Sequence, residues 1–197
     1  MTTKSALTKE KIIYATLKLI NDEGDTQNLS VRRIAKLADV SFSTINYHFQ
    51  TKDNLIKESI HLSVHKVIAR WIKFSESADI DPVSKLRMLI KNAGEYYAKH
   101  PHTIKVGLLN TFYKDQWDTN LYFFIDHALA PILHEISPQK SNTEIARTIE
   151  IVYLSFPNIL LQSIAHPDRS SFNYFVKEER EAFIDKFIDV LLFALRS

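Results

Sequence analysis

Apolar residues recur every three to four positions along most of the chain, the spacing of helices that bury one face. Ile12, Ile13, Thr16, Leu19 and Ile20 predict a first helix, begun near Thr8 with Glu10 in its first turn and stopped by Gly24. Val31, Ile34, Ala35 and Ala38 then fall at i, i+3, i+4 and i+7 behind a capping Ser30. Ser41 is a second cap, opening a short helix that closes at Phe49. Thr51 is a third, with Asp53 in the turn it starts and Leu55 and Ile56 beginning a long helix.

Beyond this compact unit the pattern predicts longer helices over 51–74, 82–100, 103–114, 121–136, 142–165 and 176–196. Pro82 suits a first turn, while Pro131 predicts a kink or break. With three glycines and six prolines there are too few turn signals for a sandwich or barrel. The expected class is all-α: an N-terminal three-helix domain over 1–52 and a larger helical domain over 53–197.

Composition narrows the function without naming it. The formal net charge of +2 is too small to announce a nucleic acid, so placement must carry that argument. The absence of cysteine excludes disulfides, thiolate zinc sites and a cysteine nucleophile. The first residues lack a signal-peptide core, and the most apolar stretch, 151–165, is interrupted by Ser155, Pro157, Asn158 and Gln162. The expectation is a soluble, cytoplasmic protein with no membrane partner.

Placement is informative over residues 30–49, which have the spacing of a helix-turn-helix. Ala35 is small where two helices must approach, and Ile34, Ala38, Val40, Ile45 and Phe49 supply the seam between them. Ser43, Thr44, Asn46 and Tyr47 lie on faces that the seam leaves free. Their short or flat hydrogen-bonding groups suit base edges and phosphates. Ser30, Arg32 and Arg33 open the preceding helix, where backbone N–H groups also favour phosphate, and Lys52 opens the following one. Ser41 joins this set, as do Phe42, either a thymine or sugar contact or a local cover, and His48, either a phosphate donor or a half-buried histidine.

The stretch LSVRRIAKLADVSFSTINYHFQTKDNLI resembles the N-terminal domain of the TetR family of bacterial regulators along its whole length. Two positions depart from the family pattern: Asp39 stands where the turn usually has Gly, and Asn46 where Tyr is frequent. The resemblance implies a transcriptional repressor that binds double-stranded DNA at a near-palindromic operator as a homodimer. It also implies that the C-terminal helical domain binds a small-molecule effector and dimerises through its last two long helices. The stripes Ile145, Ile149, Val152, Phe156, Leu160 and Phe183, Phe187, Val190, Leu191, Ala194 are consistent with such an interface.

Aromatic and polar residues interleave in the middle of the chain. Tyr97, Asn110, Phe112, Tyr113, Trp117, Phe124, Phe156 and Asn158 are the candidate lining for a largely apolar effector with a few polar handles. No cofactor is expected beside that unidentified effector. Other classes fit less of the chain. No phosphate loop, nucleophile elbow or HExxH motif supports an enzyme. A metal-sensing regulator would use His61 and His65 at i, i+4, with His100 and His102 flanking Pro101. A helical interaction module without DNA explains the C-terminal stripes but not the polar face beside Arg32, Arg33 and Lys52.

Overall fold

A computed structural model describes residues 4–77, 79–113 and 123–196. Every regular element in them is helical: α1 (Lys4–Glu23), α2 (Val31–Ala38), α3 (Phe42–Phe49), α4 (Lys52–Ser77), α5 (Pro82–Lys99) and α6 (Pro101–Tyr113). A π-helical turn, Ile125–Leu129, then runs into α7 (Ala130–Ile136), followed by α8 (Asn142–Ala165), a short 3-10 turn at Pro167–Arg169 and α9 (Lys177–Arg196). The chain forms two compact units, one of Met1–Lys66 with His102–Trp117, the other of Val67–Pro101 with Asp118–Ser197.

In the first unit the apolar stripes predicted from spacing meet in one core. Ile12, Ala15 and Ile20 of α1, Ile34, Ala35 and Ala38 of α2, and Ile45 and Phe49 of α3 close on Leu55, Ile56 and Ile60 of α4 and Val106 of α6. Burying each of the larger side chains contributes about 1.5–3 kcal/mol before chain entropy is counted. The start of the first helix differs from expectation. Helix α1 begins at Lys4, and Thr8 sits inside it, donating its hydroxyl back to the Lys4 carbonyl at 3.0 Å rather than capping. A hydroxyl near a helix start serves either role, and only the preceding backbone decides. The predicted stop is present: Gly24 adopts φ 77° and donates to the Ile20 carbonyl.

In the second unit α5 packs against α7 and α9, and α7 against α8. Asp81 caps α5 by accepting the Ser84 N–H, with Pro82 in the first turn. Arg87 on α5 pairs with Asp185 and Asp189 of α9, and Lys91 donates to Asp185 at 2.8 Å. Burial opposes ionisation of the Asp185 carboxyl, but the hydrogen bonds from Lys91 and Arg87 outweigh it and hold it below the usual carboxylate range. The break expected at Pro131 takes the form of the π-helical turn. Proline has no N–H to donate and crowds the carbonyl four residues back, and a wider turn relieves that conflict.

The stripe expected at a subunit interface on α8 is already used within the chain. Ile145, Ile149, Val152 and Phe156 are buried within the single chain, and the Leu160 side chain lies outside the described residues. On α9 the core face is Ile184, Ile188, Leu191, Leu192 and Leu195, which leaves Val190 and Phe193 exposed beside Ala194. Helical period identifies a buried face but not the partner that buries it. Among the described residues no helix is long and apolar enough to cross a membrane.

Candidate nucleic-acid interface

Two short helices, each fixed at both ends, make the site. Ser30 accepts the Arg33 N–H at 3.2 Å and starts α2. At the other end Asp39 takes the left-handed conformation, φ 54° and ψ 51°. The Val40 N–H reaches the Ala35 carbonyl and the Asp39 N–H the Lys36 carbonyl, the paired bonds of a Schellman close. Asp tolerates this conformation better than most side chains, which is how the turn forms without glycine.

Ser41 then caps α3 by accepting the Thr44 N–H at 3.1 Å, and its hydroxyl lies 2.8 Å from those of both Ser43 and Thr44. Ile45 and Phe49 face the core, so Ser43, Asn46 and Tyr47 face out; Tyr47 is 82% exposed. The Asn46 amide has no intrachain partner among the described residues. Phe42 is half exposed, and half-buried His48 packs edge-on to Tyr47 and beside Phe49. Helix α3 therefore presents one polar face with its apolar face committed, the arrangement a major-groove reader requires.

The cations divide into two groups. Arg32 and Lys36 are exposed without ion-pair partners among the described residues, whereas the Arg33 guanidinium lies 2.6 Å from a Glu23 oxygen. Lys52 is half-buried and donates to the Thr26 carbonyl at 2.7 Å. Residue type and position along the chain suggested three phosphate clamps, Arg32, Arg33 and Lys52; in the fold Arg33 and Lys52 have internal partners. Sequence reasoning missed Glu23, and nothing in its local pattern marks it. It also missed Gln50, exposed just past α3 with φ 65° and ψ −52°, where the Thr51 N–H turns back to the Phe49 carbonyl at 2.7 Å. A non-glycine residue held there is strained.

The sequence profile described as bacterial regulatory proteins, tetR family, matches residues 12–59, which contain α2 and α3 entire. The fold matches the fatty acid degradation regulator FadR from Bacillus halodurans at a TM-score of 0.72 and 17% identity, covering 94% of each chain. It also matches FadR from Bacillus subtilis, solved with stearoyl-CoA, at 0.68 and 14% identity, covering 93% of this chain and 97% of that one. A TetR regulator from Rhodococcus sp. RHA1 matches at 0.64 and 15% identity, covering 96% and 98%. The chain has the fold of a TetR-family transcriptional regulator. No curated protein matches it by sequence.

The aromatic candidates in the second unit are brought together only in part. The Tyr97 ring lies 5.9 Å from that of buried Phe156, which in turn lies 6.2 Å from Phe187. Phe124 is half-buried just before the π-helical turn, and Asn158 is exposed on α8. The side chains of Asn110, Phe112 and Tyr113, and Trp117 altogether, lie outside the described residues. A cavity of about 300 Å³ opens elsewhere, between Ser163, Phe172, Asn173, Tyr174 and Glu179, and none of the eight candidates lines it. Burial, together with the Lys99 charge, lowers the pKa of His100. The His61 and His65 rings stack at 5.9 Å, and no group of three or more His, Asp or Glu among the described residues is arranged to hold a metal ion.

Proposed function

We propose that the protein is a ligand-responsive transcriptional repressor, acting in the cytoplasm as a homodimer on a near-palindromic operator. The observation that carries this reading is the capped α3 helix, with Ile45 and Phe49 buried and Ser43, Asn46 and Tyr47 facing out. Two such helices, related by a two-fold axis, read successive major grooves one helical turn apart. Asn46 reads a base edge, while Ser43, Tyr47 and Arg32 hold phosphate and sugar. The exposed Val190 and Phe193 on α9 support a second copy as the dimer partner, since large apolar side chains left in water favour burial.

The effector is a largely apolar molecule with a few polar handles, received near Tyr97 and Phe156. A fatty acyl thioester has that chemistry, and the Bacillus subtilis FadR of similar fold was solved with one. An effector shifts the operator-bound population only by its differential affinity for the two states, so it must contact a part that moves. The test is a salt-titrated selection on random duplex DNA with purified protein and no added ligand. A near-palindromic site recovered from the pool supports the repressor. Sequence-blind binding by a folded protein would overturn it.

A further inference from the structure

We propose that Glu23 is a positioning residue of the DNA-facing surface: it holds the Arg33 guanidinium in an internal ion pair and withholds that charge from phosphate. The inference rests on the DNA-binding reading above and assigns the share each cation takes in it. Glu23 is the last residue of α1, at the negative end of the helix dipole, where a carboxylate is disfavoured. Its side chain is only 18% exposed, and both carboxylate oxygens are buried without a hydrogen bond. A charge so placed is costly unless a counter-charge offsets it.

Arg33 provides that counter-charge. Its Nη2 sits 2.6 Å from Glu23 Oε1, a close ion pair without hydrogen-bond alignment, and it is the only such partner of Glu23 among the described residues. The Arg33 side chain is 53% exposed, so phosphate can approach it. Moving it onto phosphate, however, leaves the Glu23 carboxylate buried and uncompensated. Arg32, its neighbour in the same turn of α2, carries no such obligation. Two adjacent arginines of equal standing in the sequence are therefore unequal on the surface. Arg32 releases counterions when DNA binds, while Arg33 stays committed to α1 and ties α2 to it.

The experiment is the salt dependence of affinity for a short mixed-sequence duplex, read by fluorescence anisotropy on the full chain. Each phosphate neutralised contributes about 0.9 to the slope of log affinity against log salt. Glu23→Gln frees Arg33 and steepens the slope by about 0.9 per chain bound; adding Arg33→Gln cancels that gain. Glu23→Leu, which removes the charge while filling the buried space, gives the same steepening and serves if the glutamine variant folds poorly. An unchanged or flatter slope in the folded Glu23 variants overturns the proposal, as does a gain that survives Arg33→Gln. A folded wild-type chain that binds no duplex even at the lowest salt overturns the DNA-binding reading itself. The two failures are therefore distinct.

Discussion

The Lys52 ammonium donates to the main-chain carbonyl of Thr26 at 2.7 Å, strapping the segment between α1 and α2 to the first turn of α4. A half-buried, charge-assisted hydrogen bond of this kind contributes about 1–2 kcal/mol. Lys52→Met, which keeps most of the stem but removes the donor, is expected to lower the unfolding free energy by about that amount. Urea denaturation measures it, and an unmoved midpoint would show that the strap holds nothing.

Asn46 faces outward from the middle of α3 with no partner for its amide among the described residues. Asn46→Ala is expected to cost about 1–3 kcal/mol on the selected operator and far less on unrelated duplex. Equal losses on both would make Asn46 a phosphate holder rather than a base reader. Thermal unfolding should scarcely change, since the side chain buries nothing.

Phe193 is 76% exposed on α9 although it is among the largest apolar side chains of that helix. If a second copy covers it, Phe193→Asp places a charge at the centre of the interface and the chain becomes monomeric. Size exclusion with light scattering at micromolar concentration distinguishes the species. A wild-type chain that is already monomeric would remove the dimer from the mechanism.

Glu144 closes a capping box at the start of α8: Ser141 accepts the Glu144 N–H at 3.3 Å, and the Glu144 carboxylate accepts both the N–H and the hydroxyl of Ser141. Those bonds, from the Ser141 backbone first and then its hydroxyl, with a further one from Lys140, hold the carboxyl down to about 2, from 4.5. The folded value lies below the unfolded one, so the contribution is fully present above about pH 4.5 and is lost as pH falls through about 2. Glu144→Gln should therefore unfold more readily than wild type at pH 7, with the two converging over that acid range. Parallel denaturation curves with a constant gap would contradict the box.

What the sequence reveals and what it hides follow one physical division. Caps, stops and stripes depend on residues within a turn or two, so Ser30, Ser41, Gly24 and the α2 face are readable in advance. The Asp39 turn is readable too, because its left-handed close uses only α2's own carbonyls. Partner choice is different. Glu23 meets Arg33 across the bend between two helices, and Lys52 meets Thr26 from 26 residues away. Nothing local announces either contact. The α8 stripe shows the same limit from another side: its period marks Ile149 and Phe156 as buried, but only the folded chain shows that α8's own unit buries them.

The π-helical turn at Ile125–Leu129 has a consequence for register. One residue more than an α-helical turn holds is accommodated there, and each residue turns an α-helix by about 100°. Remove one residue from this turn and let the helix run regular, and the downstream helix keeps nearly its present face, because the wide turn is what absorbs the extra residue. The same deletion made in the α-helical turn that follows, at Ala130, does rotate α7: Ile132 would move to the exposed position of Pro131 and His134 into the buried position of Leu133. The turn is therefore the place in this stretch where losing one residue leaves the following helix facing the same way, whereas the same loss from the regular helix beyond it turns that helix.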